Sequence, residues 1–196
     1  MRIHGENEIS RSIGVNQEND YKKYVPQLRE DFKHICGYCG KPEEVTTKGF
    51  EPDHFVPDRI DSSRKLDYSN LVYSCFTCNR KKLGKWPTKN KDKPNDGNVG
   101  FVDPALKEYD LHLGRDKDGN IEFYTNVGEY MYKNAFRFDI RPMKEIWKIS
   151  QLINAKENLL KIKDKLTSEE LIKYLELDKA IEELKKILFE KKSNQI

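Results

Sequence analysis

The chain has 196 residues, of which 36 are Lys or Arg and 33 Asp or Glu, so 35% of it is charged, 36% is hydrophobic and the net charge is +3. Such a charge excess belongs on a surface and leaves room for one modest core with an appendage rather than two full domains. No apolar run approaches the roughly 20 residues of a bilayer span and the first thirty residues lack the apolar stretch of an export signal, so the expectation is a cytoplasmic chain with no membrane partner.

In chain order, Tyr21, Tyr24, Leu28, Phe32 and Ile35 recur at steps of three or four, which predicts an amphipathic helix over 20–35 with Pro26 in its first turn. Short apolar runs at Phe50–Pro57 and Leu71–Ser74 read as strands, and the stretch from Asn79 to Gly84 and Pro87 as a helix, giving a ββα order. Residues 87–100 are polar and rich in Pro and Gly, an exposed loop or linker without a core. A turn is expected at Asp118-Gly119-Asn120, followed by a strand at Ile121–Phe123. From Met143 to Leu166 and from Leu171 to Phe189, Leu and Ile recur at helical steps, with a capping box at Thr167-Ser168-Glu169-Glu170 between them. The fold class is therefore α+β, divided into an N-terminal segment and helix (1–34), a core (35–86), a linker and accessory region (87–142) and a C-terminal helical hairpin (143–196). That hairpin carries more Leu and Ile than its own seam needs, which points to a homodimer or a docked partner, with packing back on the core of the same chain as the alternative.

All four cysteines fall in one 43-residue window, as Cys36-x-x-Cys39 and Cys75-x-x-Cys78. Paired knuckles in a reducing compartment read as one structural zinc site, with four thiolates closing the coordination sphere. Tyr38 and Phe76 are expected to pack around it, and His4, His34 and His112 to lie on the surface. Between the knuckles sits Asp53-His54; Asn70 precedes Leu71, and Asn79 follows the last cysteine. Taken singly, Asp53 is also a turn cap, His54 a structural histidine and Asn79 a helix N-cap. From Asn79 to Lys93 there are seven Lys or Arg against one Asp. Of these, Arg80, Lys81, Lys82 and Lys85 lie on the predicted helix, where they would suit the phosphates of a polyanion such as a nucleic acid.

The order C-G-Y-C, E-P-D-H-F-V-P, Y-S-N-L-V-Y-S-C-F-T-C-N-R-K-K resembles the HNH (ββα-metal, or His-Me finger) endonucleases over residues 36–86, and more loosely from Asp103-Pro104 to Trp147. The resemblance implies a ββα-metal core stapled by zinc, and a catalytic role for four residues. His54 is then the general base that activates water, Asp53 and Asn79 hold a catalytic Mg2+ or Mn2+, and Asn70 orients the imidazole by a hydrogen bond. A histidine is expected where Asn79 stands, and an amide oxygen there favours Mg2+ or Mn2+ over Zn2+. The implied activity is hydrolysis of phosphodiester bonds in DNA. Similarity to stand-alone bacterial HNH nucleases implies phage defence or restriction, beside an ATPase or other defence-system protein. The competing readings are an RNase using the same site and an idle zinc-ribbon module that binds nucleic acid or protein.

Overall fold

The computed structural model describes residues 1–46, 48–161 and 166–193. The chain divides into two compact units, Met1–Arg141 and Pro142–Ile196.

In the first unit, the Asp20 side chain accepts from the Lys22 amide and opens a 3-10 turn over Tyr21–Tyr24, which runs into helix α1 (Val25–Asp31) with Pro26 in its first turn. Proline is tolerated there because the first turn has no partner for its missing N–H. The helix ends short of the expected residue 35, since Lys33 and His34 take left-handed φ values of 52° and 59°. That reversal lets Ile35 bridge Pro42 across the first knuckle. Strands β1 (Glu51–His54) and β2 (Leu71–Ser74) form an antiparallel hairpin in which Asp53 faces Val72 and His54 faces Leu71. Helix α2 (Phe76–Lys82) follows at once, three residues ahead of the expected Asn79. Its N-cap, Cys75, makes no side-chain capping bond, so no ordinary cap residue marks the start in the sequence. Left-handed Leu83 and Gly84 end it.

Strands β3 (Leu113–Arg115) and β4 (Ile121–Phe123) pair around a turn in which the Asp116 carboxylate accepts from the amides of Asp118 and Asn120. Helix α3 (Asn126–Glu129), capped by Thr125, continues into a π-helical segment over Tyr130–Ala135. Residues 87–99 form the expected loop, pinned where Asn95 bridges Gly100. A chain of aromatic rings runs through the core: Tyr38 on Phe136 at 4.7 Å between centroids, Phe136 on Phe101 at 5.9 Å, Phe101 on Trp86 at 5.9 Å and Trp86 on Phe55 at 5.4 Å. Contacts of this kind add about 0.5–1.5 kcal/mol per pair beyond the area they bury.

Arg115 is fully buried and donates to three carbonyls: Ile3 at 2.9 Å, Gly119 at 2.8 Å and Cys39 at 2.7 Å. One side chain thereby joins the N-terminal segment, the β3–β4 turn and the first knuckle. Burial pulls its pKa down to about 10. Two histidines expected at the surface are packed instead. His4 is buried, its Nε2 donating to the Gly37 carbonyl at 2.6 Å, and His112 bonds Thr125 Oγ1 through Nδ1 at 2.6 Å in a half-buried position. Both follow from the N-terminal segment and the β3–β4 hairpin closing over the knuckle, packing that short-range periodicity does not report.

The second unit is a helical hairpin of α4 (Met143–Leu160) and α5 (Ser168–Ser193), which pack on each other. The capping box forms as expected: the Glu170 amide donates to Thr167 Oγ1 at 3.2 Å and the Thr167 amide donates to the Glu170 carboxylate at 2.8 Å. Lys156 pairs with Asp178 across the seam. Of the expected first helix, residues 162–165 lie outside the described residues, as do 194–196 of the hairpin.

Candidate active site

The four cysteine sulfurs, all buried, lie within 4.8 Å of one another, with Cys39 and Cys75 at 3.9 Å. Thiolates about 2.3 Å from a tetrahedral Zn2+ stand slightly under 4 Å apart, so the cysteines are positioned to form a zinc site. The knuckle geometry comes from the backbone. The Cys36 amide donates to the Lys41 carbonyl at 2.8 Å and the Gly40 amide to the Cys36 carbonyl at 2.8 Å. Gly40 has φ +66°, and a Cβ there would meet the Ile3 carbonyl oxygen at 2.6 Å. Arg141 reaches the cluster from outside, its guanidinium 3.3 Å from Cys78 Sγ and 3.6 Å from Cys39 Sγ. A cation there offsets the charge that four thiolates leave around a divalent ion. Nothing in the sequence marks Arg141 for this role, because it is 63 residues from Cys78.

Beside the zinc cluster, β1 carries Asp53 and His54 and α2 carries Asn79. The His54 ring sits at the end of β1, with Nε2 2.9 Å from the Lys65 carbonyl oxygen. A carbonyl only accepts, so Nε2 carries the proton and Nδ1 keeps a free lone pair. The Tyr21 ring packs against this imidazole at 4.7 Å, in edge geometry. Asn70 does not make the expected hydrogen bond to His54. Its buried amide accepts from Val56 N at 2.9 Å and donates to Val56 O at 3.0 Å and Arg64 O at 3.4 Å. The reason is register: Asn70 precedes β2 and lies against the loop leaving β1, so it fixes the segment that presents the Lys65 carbonyl.

Asp53 points inward, towards α2. Its Oδ2 accepts from the Tyr38 hydroxyl at 2.5 Å and pairs with Lys82 Nζ at 2.9 Å, while Lys82 also donates to the His54 carbonyl at 2.6 Å. Burial and the Asp53 charge push the Tyr38 phenol well above its usual pKa, which keeps it a donor. The other oxygen, Oδ1, takes no hydrogen bond and is not sealed from solvent. On α2, Asn79 Nδ2 donates to Glu51 Oε2 at 2.8 Å, leaving its amide oxygen without that partner. An aspartate oxygen and an amide oxygen are the donors a hard divalent cation takes, with the remaining positions left to water and phosphate. Among the described residues, the cysteines are the one cluster of three or more His, Cys, Asp or Glu side chains close enough to hold a metal ion.

A profile of the HNH endonuclease family matches residues 36–84, which span both knuckles, the β1–β2 hairpin and α2. This stretch is similar to the HNH endonuclease family. No curated protein and no solved structure is significantly similar to the chain. Within the matched stretch the basic residues of α2 divide. Arg80 and Lys81 are exposed, with the Arg80 guanidinium 5.1 Å from the centre of the Phe76 ring. Lys82, expected at the phosphate surface, is fully buried in its pair with Asp53. Lys85 donates to the Asn134 carbonyl at 2.7 Å, and burial together with Lys81 and Arg137 lowers its pKa. From the loop before β1, Lys48 adds its ammonium to the face of the same Phe76 ring at 4.1 Å. The residues that sequence reasoning passed over are thus Glu51, Lys65, Lys48 and Tyr38 in its donor role. Only Glu51 carried a signal: strand alternation sets it on the same face as Asp53.

Proposed function

We propose that the protein hydrolyses phosphodiester bonds in DNA at the site formed by His54, Asp53 and Asn79. The observation that carries this reading is the 2.9 Å contact of His54 Nε2 with the Lys65 carbonyl oxygen, which in the neutral ring commits the proton to Nε2 and leaves Nδ1 as the acceptor. Nδ1 takes the proton from a water as its oxygen attacks phosphorus, and the Lys65 carbonyl steadies the imidazolium that results. Asp53 and Asn79 supply oxygen ligands for Mg2+ or Mn2+. Bound there, the cation stabilises the negative charge that develops on the phosphate and the leaving oxygen. Lys82 and Tyr38 hold the Asp53 carboxylate through Oδ2 and leave Oδ1 without a hydrogen bond. Arg80 and Lys81, exposed directly after Asn79 on the same helix, are available to the flanking phosphates.

The test is incubation of zinc-loaded protein with supercoiled, linear and single-stranded DNA and with RNA, in Mg2+ or EDTA, for the wild type and His54→Ala. Cleavage of DNA that needs Mg2+ and falls by about two to four orders of magnitude in the variant is expected. Equal cleavage by the variant overturns the assignment of the base. Cleavage confined to RNA overturns the substrate, and no cleavage by the wild type favours the binding module.

A further inference from the structure

Glu51 lies outside the Asp-His-Asn set, yet it makes the one hydrogen bond that decides what Asn79 offers the site. We propose that Glu51 is a positioning residue that fixes the Asn79 amide so that Oδ1, not Nδ2, faces the catalytic cation; this rests on the reading of Asp53 and Asn79 as cation ligands given above. An asparagine amide is two-faced, because a half-turn about its last bond exchanges an acceptor oxygen for a donor NH2 group of nearly the same shape. In the wrong orientation it presents two N–H dipoles to a positive ion. A carboxylate only accepts, so a carboxylate 2.8 Å from one end of the amide selects the nitrogen for itself. Glu51 is held where it can do this. It sits on β1 two residues before Asp53, in register with Ser74 of β2, so the pleat turns both carboxylates towards α2. Lys82 on the same helix meets Asp53 just as Asn79 meets Glu51. Each acidic side chain of β1 is thus joined to one residue of α2.

Mn2+ binding to the zinc-loaded full-length protein, measured by the free-ion paramagnetic resonance signal, tests this apart from catalysis. Removing an outer-shell partner of a ligand weakens metal binding by about 10- to 100-fold, and that loss is expected for Glu51→Gln with zinc content and melting temperature unchanged. Glu51→Asp, one methylene too short to reach Nδ2, should match it and stands in if Glu51→Gln does not fold. The double variant Glu51→Gln/Asn79→Asp exchanges donor and acceptor while keeping the charge of the pair, and an aspartate has two equivalent oxygens. Its Mn2+ affinity should return to near the wild-type value. Wild-type affinity in both single variants overturns the proposal. A double variant as weak as Glu51→Gln also overturns it, since Glu51 would then act as a direct ligand. Failure of the underlying reading shows separately, as wild-type protein that binds no Mn2+, and removes the proposal with it.

Discussion

His4 is a titratable group enclosed where a charge is costly, with burial lowering its pKa from 6.5 to about 4 against the opposing hydrogen bond to Gly37. The folded state therefore holds the neutral ring, whereas the unfolded chain takes up a proton near 6.5. Stability from this group is fully present above the unfolded value and is lost as pH falls towards the folded one. Between about pH 7 and about pH 5 the loss amounts to about 2 kcal/mol. Urea unfolding of the wild type and His4→Gln at those two pH values should show the variant losing about 2 kcal/mol less than the wild type. Parallel losses would mean that the ring carries no linkage. At the same scale, Lys82 shows why some residues resist sequence reading. It stands in an unbroken basic run with Arg80 and Lys81, and only the helical angle that turns it under β1, to Asp53 and the His54 carbonyl, separates a buried ion pair from a solvated cation. Breaking such a pair costs about 3–5 kcal/mol, far more than an exposed lysine contributes. The partners of Asp53 and His54, the Tyr38 hydroxyl and the Lys65 carbonyl, arrive through tertiary contact and leave no local signal in the sequence.

The elements that frame the site were legible in proportion to how local their causes are. Strand β2 occupies the Leu71–Ser74 run expected for it, with all four residues buried, because a short apolar run between polar turns suits a strand with both faces covered. Helix α2 begins earlier than its sequence signals because its first turn, Phe76 and Thr77 around Cys78, is set by the second knuckle and not by a cap. The knuckles themselves needed only spacing. With four buried sulfurs within 4.8 Å, metal analysis of the purified chain should find one zinc per molecule, retained in mild EDTA treatment that abolishes cleavage. Structural zinc in small domains is worth about 10–16 kcal/mol of apparent binding free energy, so Cys36→Ser should give a chain that unfolds or aggregates, seen as loss of a cooperative melting transition. Zinc-free protein that melts like the wild type would overturn the four-thiolate centre.

For the molecule as a whole, the hairpin unit leaves Leu171, Ile172, Leu175 and Ile187 of α5 exposed, while Ile181 and Leu188 are buried. Helical hairpins of this kind pair readily into four-helix arrangements. Sedimentation of the full chain should show a dimer, and Leu171→Glu/Leu175→Glu a monomer with unchanged zinc content and DNA cleavage. A wild-type monomer at tens of micromolar would assign that face no role in self-association. The two-helix pattern was legible because it repeats over many turns; what covers its outer face is not encoded in periodicity. The buried guanidinium of Arg115 has a consequence in time. It closes bonds to Cys39 and to Ile3, the latter 112 residues earlier in the chain. At about 5–20 residues per second, that separation takes roughly 6–22 s to synthesise. The first knuckle joins the N-terminal segment in waiting for this anchor over the last 76 residues of that stretch, so the core reaches its final form only after the β3–β4 turn has emerged, well after both knuckles, the β1–β2 hairpin and α2.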